Sequence, residues 1–355
     1  MFAVPILLSS LIEAPIALVS DRLPRQLLLA SGLGGLAVSL LLASLAGSPW
    51  LLAAALSLAG AASGVACDSA QAELVTRHPG GPALAMTRWI AFAAAGDALT
   101  PLAIAAVYWI GGTHRSVLAL CGVLLAVHAY AVYRGQKRAP ATAELAELPE
   151  DEESASMPLR AALAESVRKP RLWLFLFGSA SCALLDEVVV ALGALRLHQD
   201  LGWSESHAAL VMTGLSAGGV IGALISERLL ASVSSRRLLA YAATGSLVLL
   251  AVIVMASSAW LIICALFLLG MTCSLHWPLV KAAAYELVPG QPGVVNALQQ
   301  AFVGMDIGLP LLIGVIASQF GLSMALASLA AEPIILLIVA AYWHPAHREE
   351  GNGCS

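Results

Sequence analysis

The residues able to do chemistry in this chain are few, and most sit where charge is costly. Only 11% of the 355 residues are charged and 59% are hydrophobic, with a mean hydropathy of +0.86. Against that background Asp97, Asp186, Glu187 and Asp306 lie inside long apolar runs. A charge at mid-bilayer costs at least ~2.5 kcal/mol, so such a residue faces water or a partner. An acid in those surroundings can bind and release a proton, which makes these four candidates for a proton or substrate role. The plainer alternative is an interior acid bonded to a Ser, a Thr or a backbone carbonyl. His276, beside Trp277, could touch a bound solute or simply pack. Asp68 and Lys281 are an acid and a base, again inside apolar stretches. Glu13 and Glu332, each followed closely by proline (Pro15, Pro333), rank lower.

Other chemistries find no support. The six cysteines are scattered and none has metal-ligand spacing, so neither a disulfide framework nor a metal site is expected, and no cofactor motif stands out. "GLSAG" at 214–218 fits G-x-S-x-G, but a nucleophile elbow needs a strand, a turn and a helix, and this stretch is mid-helix. Gly214, Gly218 and Gly222 read better as a close-packing helix face. "GLGGLA" at 32–37 lacks a preceding strand for dinucleotide binding. There is no G-x-x-x-x-G-K and no H-E-x-x-H. Basic clusters are short, so nucleic acid is not an expected partner. An enzyme is not expected.

The elements that carry these residues are membrane helices. A bilayer takes about 20 apolar residues to cross. Eleven candidates run near 1–19, 27–46, 50–72, 83–110, 117–133, 172–196, 208–225, 238–256, 260–284, 294–318 and 324–343. All should be helices, because lipid offers no other partner for the backbone of an open chain. The fold class is therefore an all-α integral membrane protein. With "SDRLPRQ" (20–26) in the cytoplasm, 16 of the 18 Lys and Arg fall on that side and only Arg115 and Arg196 fall outside. This places the C-terminus inside. The polar stretch 134–171 reads as a cytoplasmic linker with an acidic run (Glu150–Glu153) and one short amphipathic helix near 158–168.

The chain is also a repeat. "SDRL" at 20–23 matches "SERL" at 226–229, "AELV" at 72–75 matches "YELV" at 285–288, and "GDALTP" at 96–101 matches "MDIGLP" at 305–310. The offsets are 206, 213 and 209, and the matches come in the same order. Two bundles in the same orientation follow, at 1–133 and 172–343, with the linker at 134–171 between them and a cytoplasmic tail at 344–355. A parallel repeat is one architecture of secondary transporters. The offset of 213 carries Asp68 onto Lys281.

These features resemble the major facilitator superfamily, whose hallmark is a Gly-x-x-x-Asp-Arg-x-Gly-Arg-Arg/Lys loop between its second and third helices. Ala17, Asp21, Arg22, Pro24, Arg25 and Gln26 occupy that pattern, with Ala, Pro and Gln replacing two glycines and the last base. Ser226, Glu227, Arg228, Arg236 and Arg237 form the second copy. The resemblance implies that the helix at Met1 is the family's second, so that the first either lies upstream of this Met1 or is missing; the former is the expectation.

The resemblance also implies roles. Asp21 would cap a helix across the interface between halves, near Val294. Arg22 would reach Glu73, and Arg228 would reach Glu286. With Arg25 and Glu227 these form an expected cytoplasmic latch, against the plainer reading of positive-inside anchoring. Asp186 lies on the family's seventh helix, which lines the central cavity. Asp68 and Lys281 fall on its fourth and tenth helices, on opposite cavity walls, where an ion pair would close the cytoplasmic side. The drug-exporter marks are absent: 50–72 has no Arg, and "GDALTPLAIA" has no paired Gly. The expectation is a monomeric secondary transporter in the plasma (inner) membrane, moving a small solute by rocking of its two halves, with a proton as candidate coupling ion and the lipid bilayer as its surroundings. The rivals are an uncoupled facilitator and a non-transporting sensor or scaffold.

Overall fold

The computed structural model describes residues 3–138, 159–199, 202–256 and 258–343, and no strand occurs among them. In the first half α1 (Ala3–Ser20), α2 (Arg25–Leu45), α3 (Pro49–Arg77), α4 (Gly81–Trp109) and α5 (His114–Arg138) follow one another with tight connections. After α6 (Leu159–Val167) the second half begins with α7 (Pro170–Ser181), a π-helical turn (Leu184–Val188) and α8 (Val189–Gln199). Then come α9 (Glu205–Leu230), α10 (Ser235–Met255), α11 (Ala259–Cys273) and α12 (His276–Leu287). The last are α13 (Pro292–Gln299), a 3₁₀ turn (Gln300–Phe302), α14 (Val303–Phe320), α15 (Leu322–Ser328) and α16 (Ala331–Tyr342).

Among the described residues eight stretches are helical, long and apolar enough to cross a membrane. Start signals fit the local sequence. Ser48 accepts the Leu51 N–H at the head of α3, and prolines open α3, α4, α7 and α13, where a missing N–H costs nothing. The short helix expected near 158–168 is α6. The acidic run Glu150–Glu153 and the tail 344–355 lie outside the described residues. The first linker residues belong to α5, which continues to Arg138. The segment 172–196 is not one continuous helix: the π turn interrupts it at Leu184–Val188.

The halves are packed differently inside. The buried apolar residues of α2 and α3 are alanines, among them Ala30, Ala37, Ala61, Ala62 and Ala66, so the helices approach through small side chains. A Cβ on Gly32 would come within 2.7 Å of the Ala66 backbone N. The second half has Leu and Val clusters around Leu176, Leu239, Leu279 and Val339, and around Leu185, Ile253, Leu269 and Leu326. Gly218 and Gly222 press against the α11 backbone at Phe267 and Met271, while Gly270 presses back on Leu215. Gly214 faces open space, so the expected glycine face has two members and not three.

The halves meet at one end. There α1 packs on α13, and α4 packs on α9 and α12. That end carries the connections between α1 and α2 and between α9 and α10. At the opposite helix ends Trp50, Trp109 and Trp260 are exposed. Tryptophans gather at membrane–water boundaries, where an apolar ring with one N–H donor is best solvated.

Candidate functional site

Asp21 follows the last turn of α1, with its short side chain directed at the start of α13. Its Oδ1 accepts the Gly293 N–H at 3.0 Å. A Cβ on Gly293 would strike the Ala17 carbonyl and approach Ser20 Oγ and Asp21 Oδ2 to 2.7 Å, so only glycine allows this approach. Burial pushes the Asp21 carboxyl up from its ordinary value, against the opposing pull of the Gly293 N–H, the Arg25 charge and the Val294 N–H. The contact is centred one residue before Val294.

The rest of the expected latch is wired differently. Arg25 joins α2 to α3 through the Ala72 carbonyl (3.2 Å) and Thr76 Oγ1 (2.6 Å). Glu73 pairs with Arg77 at 3.0 Å, one turn along α3, and not with Arg22, which is exposed in the connection. Two residues already held one turn apart on a helix meet at little entropic cost, and this defeats a partner on a separate loop. Glu227 pairs with Arg88 of α4 at 2.9 Å, so the second copy also bridges the halves. Arg228 and Glu286 are both exposed and form no ion pair with each other.

A polar layer lies deeper at the same interface. Asp68 on α3 and Lys281 on α12 act on each other electrostatically without an N–O contact within 4.0 Å. Lys281 is only 4% exposed, and its Nζ sits 5.4 Å from the Tyr285 ring centroid. The Tyr285 hydroxyl is 2.8 Å from Asn296 Oδ1 and 3.2 Å from Gln71 Oε1, tying α12 to α13 and α3. Glu13 on α1 accepts from Gln300 Nε2 at 2.8 Å, and Ser10 Oγ donates to Gln300 Oε1 at 2.9 Å. The Asp68 charge acts on Glu13 as well. Gly64 leaves the space that the Glu13 carboxyl fills. Two acids and one base thus converge from α1, α3 and α12, ringed by amide and hydroxyl groups. Such a set can hold a polar solute or move a proton. An apolar groove of about 580 Å³ between α1, α2 and α3 contains none of the candidates.

Glu13, Ser10, Gln300, Tyr285 and Asn296 carry this layer, yet the repeat points to none of them as chemistry. Their signal was available: Ser10 and Glu13 lie three apart on an apolar helix, and the Gln299–Gln300 pair interrupts another.

The remaining candidates scatter. Asp97 is exposed on α4 and is not brought to Asp306. Asp306 lies at the middle of the helical stretch Pro292–Phe320, as expected, and falls just after the 3₁₀ turn, near the start of α14; the Glu187 charge acts on it. Asp186 and Glu187 both belong to the π turn; Glu187 is exposed, and the Asp186 side chain lies outside the described ones. His276 is not among the residues lining the apolar groove between α1, α2 and α3. It is buried, with Nδ1 2.8 Å from Glu332 Oε1 and Nε2 3.3 Å from Ser246 Oγ. Glu332, ranked low from sequence, is its partner. No group of His, Cys, Asp and Glu among the described residues could hold a metal ion.

Two helical halves that meet through a capped helix and a buried polar layer have the parallel-repeat architecture found among secondary transporters. The sequence model of the Major Facilitator Superfamily matches residues 176–353, half of the chain, and the chain belongs to that family. The structure is similar to the E. coli fucose:proton symporter FucP, at 14% identity and TM-score 0.76, covering 96% of this chain and 91% of that one. It is similar to the human organic anion transporter MFSD10 (TETRAN), at 16% identity and TM-score 0.74, covering 95% and 82%. It also resembles a bacterial homologue of the iron transporter ferroportin in an outward-facing state, at 17% identity and TM-score 0.68, covering 96% and 90%. At these identities the likeness concerns the fold. No curated protein matches the chain. The chain is a multi-pass membrane protein of a transporter family and not an enzyme.

Proposed function

We propose that this protein is a secondary transporter that carries a small solute by alternating access, with a proton as the coupling ion. The observation that carries the reading is the Asp68–Lys281 pair. Opposite charges from the two halves sit in one buried layer, within electrostatic reach but without direct contact. Breaking a buried charge pair costs about 3–5 kcal/mol, so a site of this kind is a strong lever on how the halves sit. Protonation of an acid, or a solute that bonds to Lys281, would change that lever in each cycle.

The two bundles, 1–133 and 172–343, are the moving bodies in this reading, with 134–171 linking them and 344–355 as the tail. Asp21 on Gly293 and Arg88 on Glu227 hold the cytoplasmic end closed. The cluster of basic residues on that side supports a cytoplasmic reading for it and for the C-terminus, in a plasma (inner) membrane. The working unit is a monomer.

The test is uptake into proteoliposomes holding a pH-sensitive dye, screened with sugars, organic anions and amino acids under an imposed pH gradient. A coupled carrier acidifies or alkalinises the lumen only with its solute present. Asp68→Asn should abolish gradient-driven uptake and keep solute exchange at equal pH. Gradient-driven uptake that survives Asp68→Asn contradicts coupling through this residue and favours an uncoupled facilitator.

A further inference from the structure

The His276–Glu332 contact has a polarity that its neighbours dictate. Thr272 Oγ1 lies 2.9 Å from the Leu269 carbonyl, which can only accept, so Thr272 donates there. Thr272 Oγ1 is also 2.7 Å from Ser246 Oγ, and with its own proton committed it must accept from Ser246. Ser246, its proton committed in turn, accepts from His276 Nε2 at 3.3 Å. The ring therefore carries a proton on Nε2. In a neutral ring Nδ1 would then present a lone pair to Glu332 Oε1, 2.8 Å away. A carboxylate cannot sit there against a lone pair, in a place where both side chains are 1% exposed. One further proton must lie between Nδ1 and Oε1, as O–H···N or as N–H···O.

The other carboxyl oxygen is also used. Glu332 Oε2 accepts the Leu185 N–H at 2.7 Å. Leu185 belongs to the π turn that carries Asp186 and Glu187, and π turns within α-helices frequently mark functional sites. The chain of contacts thus runs from α10 through α12 and α16 to the break in the α7–α8 segment. Its side chains are other than those of the Asp68–Lys281 layer, although His276 and Lys281 share α12.

We propose that His276 and Glu332 share one proton in this buried site, and that the shared proton pins the π turn. They are positioning residues for Asp186 and Glu187. When the proton leaves to water, a neutral imidazole with its proton on Nε2 faces a carboxylate. The contact opens, Glu332 shifts, and the Leu185 N–H loses its acceptor.

The other charged groups described on the packed elements do not replace the proton. Lys281 on α12 lies over the Tyr285 ring, within electrostatic reach of Asp68, and makes no ion pair with Glu332. Arg196 on α8 donates to the Ile253 and Val254 carbonyls, and Arg236 on α10 to that of Ala340. Arg171, Arg237, Glu187 and Asp306 are exposed. No other charged residue occurs on α7, α10, α11, α15 or α16.

The experiment is hydrogen–deuterium exchange of the full chain in nanodiscs, read on peptides containing Leu185 and corrected for the intrinsic pH dependence of exchange. Glu332→Gln supplies an oxygen for Leu185 and an N–H for Nδ1, so it copies the proton-loaded pair without a titratable group. The expected result is protection in Glu332→Gln equal to wild type at low pH and unchanged as pH rises. Wild type should lose protection with rising pH. Glu332→Ala and His276→Phe should exchange about tenfold faster at all pH, the loss of one strong hydrogen bond. A Glu332→Gln protein that exchanges as fast as Glu332→Ala would overturn the proposal. So would a wild-type profile that coincides with Glu332→Gln at every pH, a comparison that stands even if the Ala and Phe variants fail to fold. No solute is needed, so failure of the transport reading and failure of this one are separable.

Discussion

Asp21 and Glu227 hold matching places in the two halves, in "SDRL" and "SERL", and both reach across to the other half. They do so by different means. Asp21 is partly buried and accepts a backbone N–H at the head of α13, an approach that exists only because residue 293 is glycine. Glu227 pairs with Arg88 at the surface, where both side chains keep about a third or more of their exposure. The lesson is that a repeated motif fixes where charge is placed, while the partner's backbone decides what that charge does. A short acid against a helix start gives a directional contact. A longer acid in solvent gives a screened pair worth about 0–1 kcal/mol.

The contrast between buried and exposed charge can be driven to its extremes. The largest effect is expected from Lys281→Met, which strands Asp68: a loss of about 3–5 kcal/mol of stability, seen as a lower Tm in detergent. Adding Asp68→Asn should recover most of it, and a double variant no more stable than the single would show the two are not a pair. Next is Gly293→Ala. Forcing a methyl against the Ala17 carbonyl should cost about 1–3 kcal/mol and depopulate the closed arrangement. Asp21→Ala should follow, at about 0.3–2 kcal/mol, the worth of an acid at a helix N-terminus. Asp21→Glu should fail to restore it, because the longer side chain overshoots the Gly293 N–H. The smallest effect is expected from Arg88→Ala, below about 1 kcal/mol and reduced further by salt. An Arg88→Ala effect as large as Asp21→Ala would erase the distinction between the two copies.

The all-helical membrane fold was legible because lipid allows a long apolar run no alternative. The repeat made Asp68 and Lys281 equivalent positions through a single offset, and the family resemblance implied that their helices lie on opposite walls. Other pairings were not legible, since they depend on which side chains are already held nearby. Glu73 finds Arg77 one turn away, and Arg22 loses it. Asp97 and Asp306 match in the repeat and both sit near the middle of their helical stretches, but a 3₁₀ turn at Gln300–Phe302 precedes Asp306 while α4 runs unbroken past Asp97, a difference that hydropathy does not record. The π turn, and with it the Glu332–Leu185 contact, left no mark in hydropathy, because it changes the backbone and not the composition.

The central claim, that the halves close at the Asp21 end and open there during transport, is tested most directly by a distance across it. Spin labels at Leu23→Cys and Pro289→Cys, both exposed, in an otherwise cysteine-free chain in nanodiscs would report it by pulsed electron resonance. The account predicts a short-distance population in the parent chain that shifts toward a longer one in Gly293→Ala and Asp21→Ala, in that order of size. A single unchanged distance in all three would contradict it.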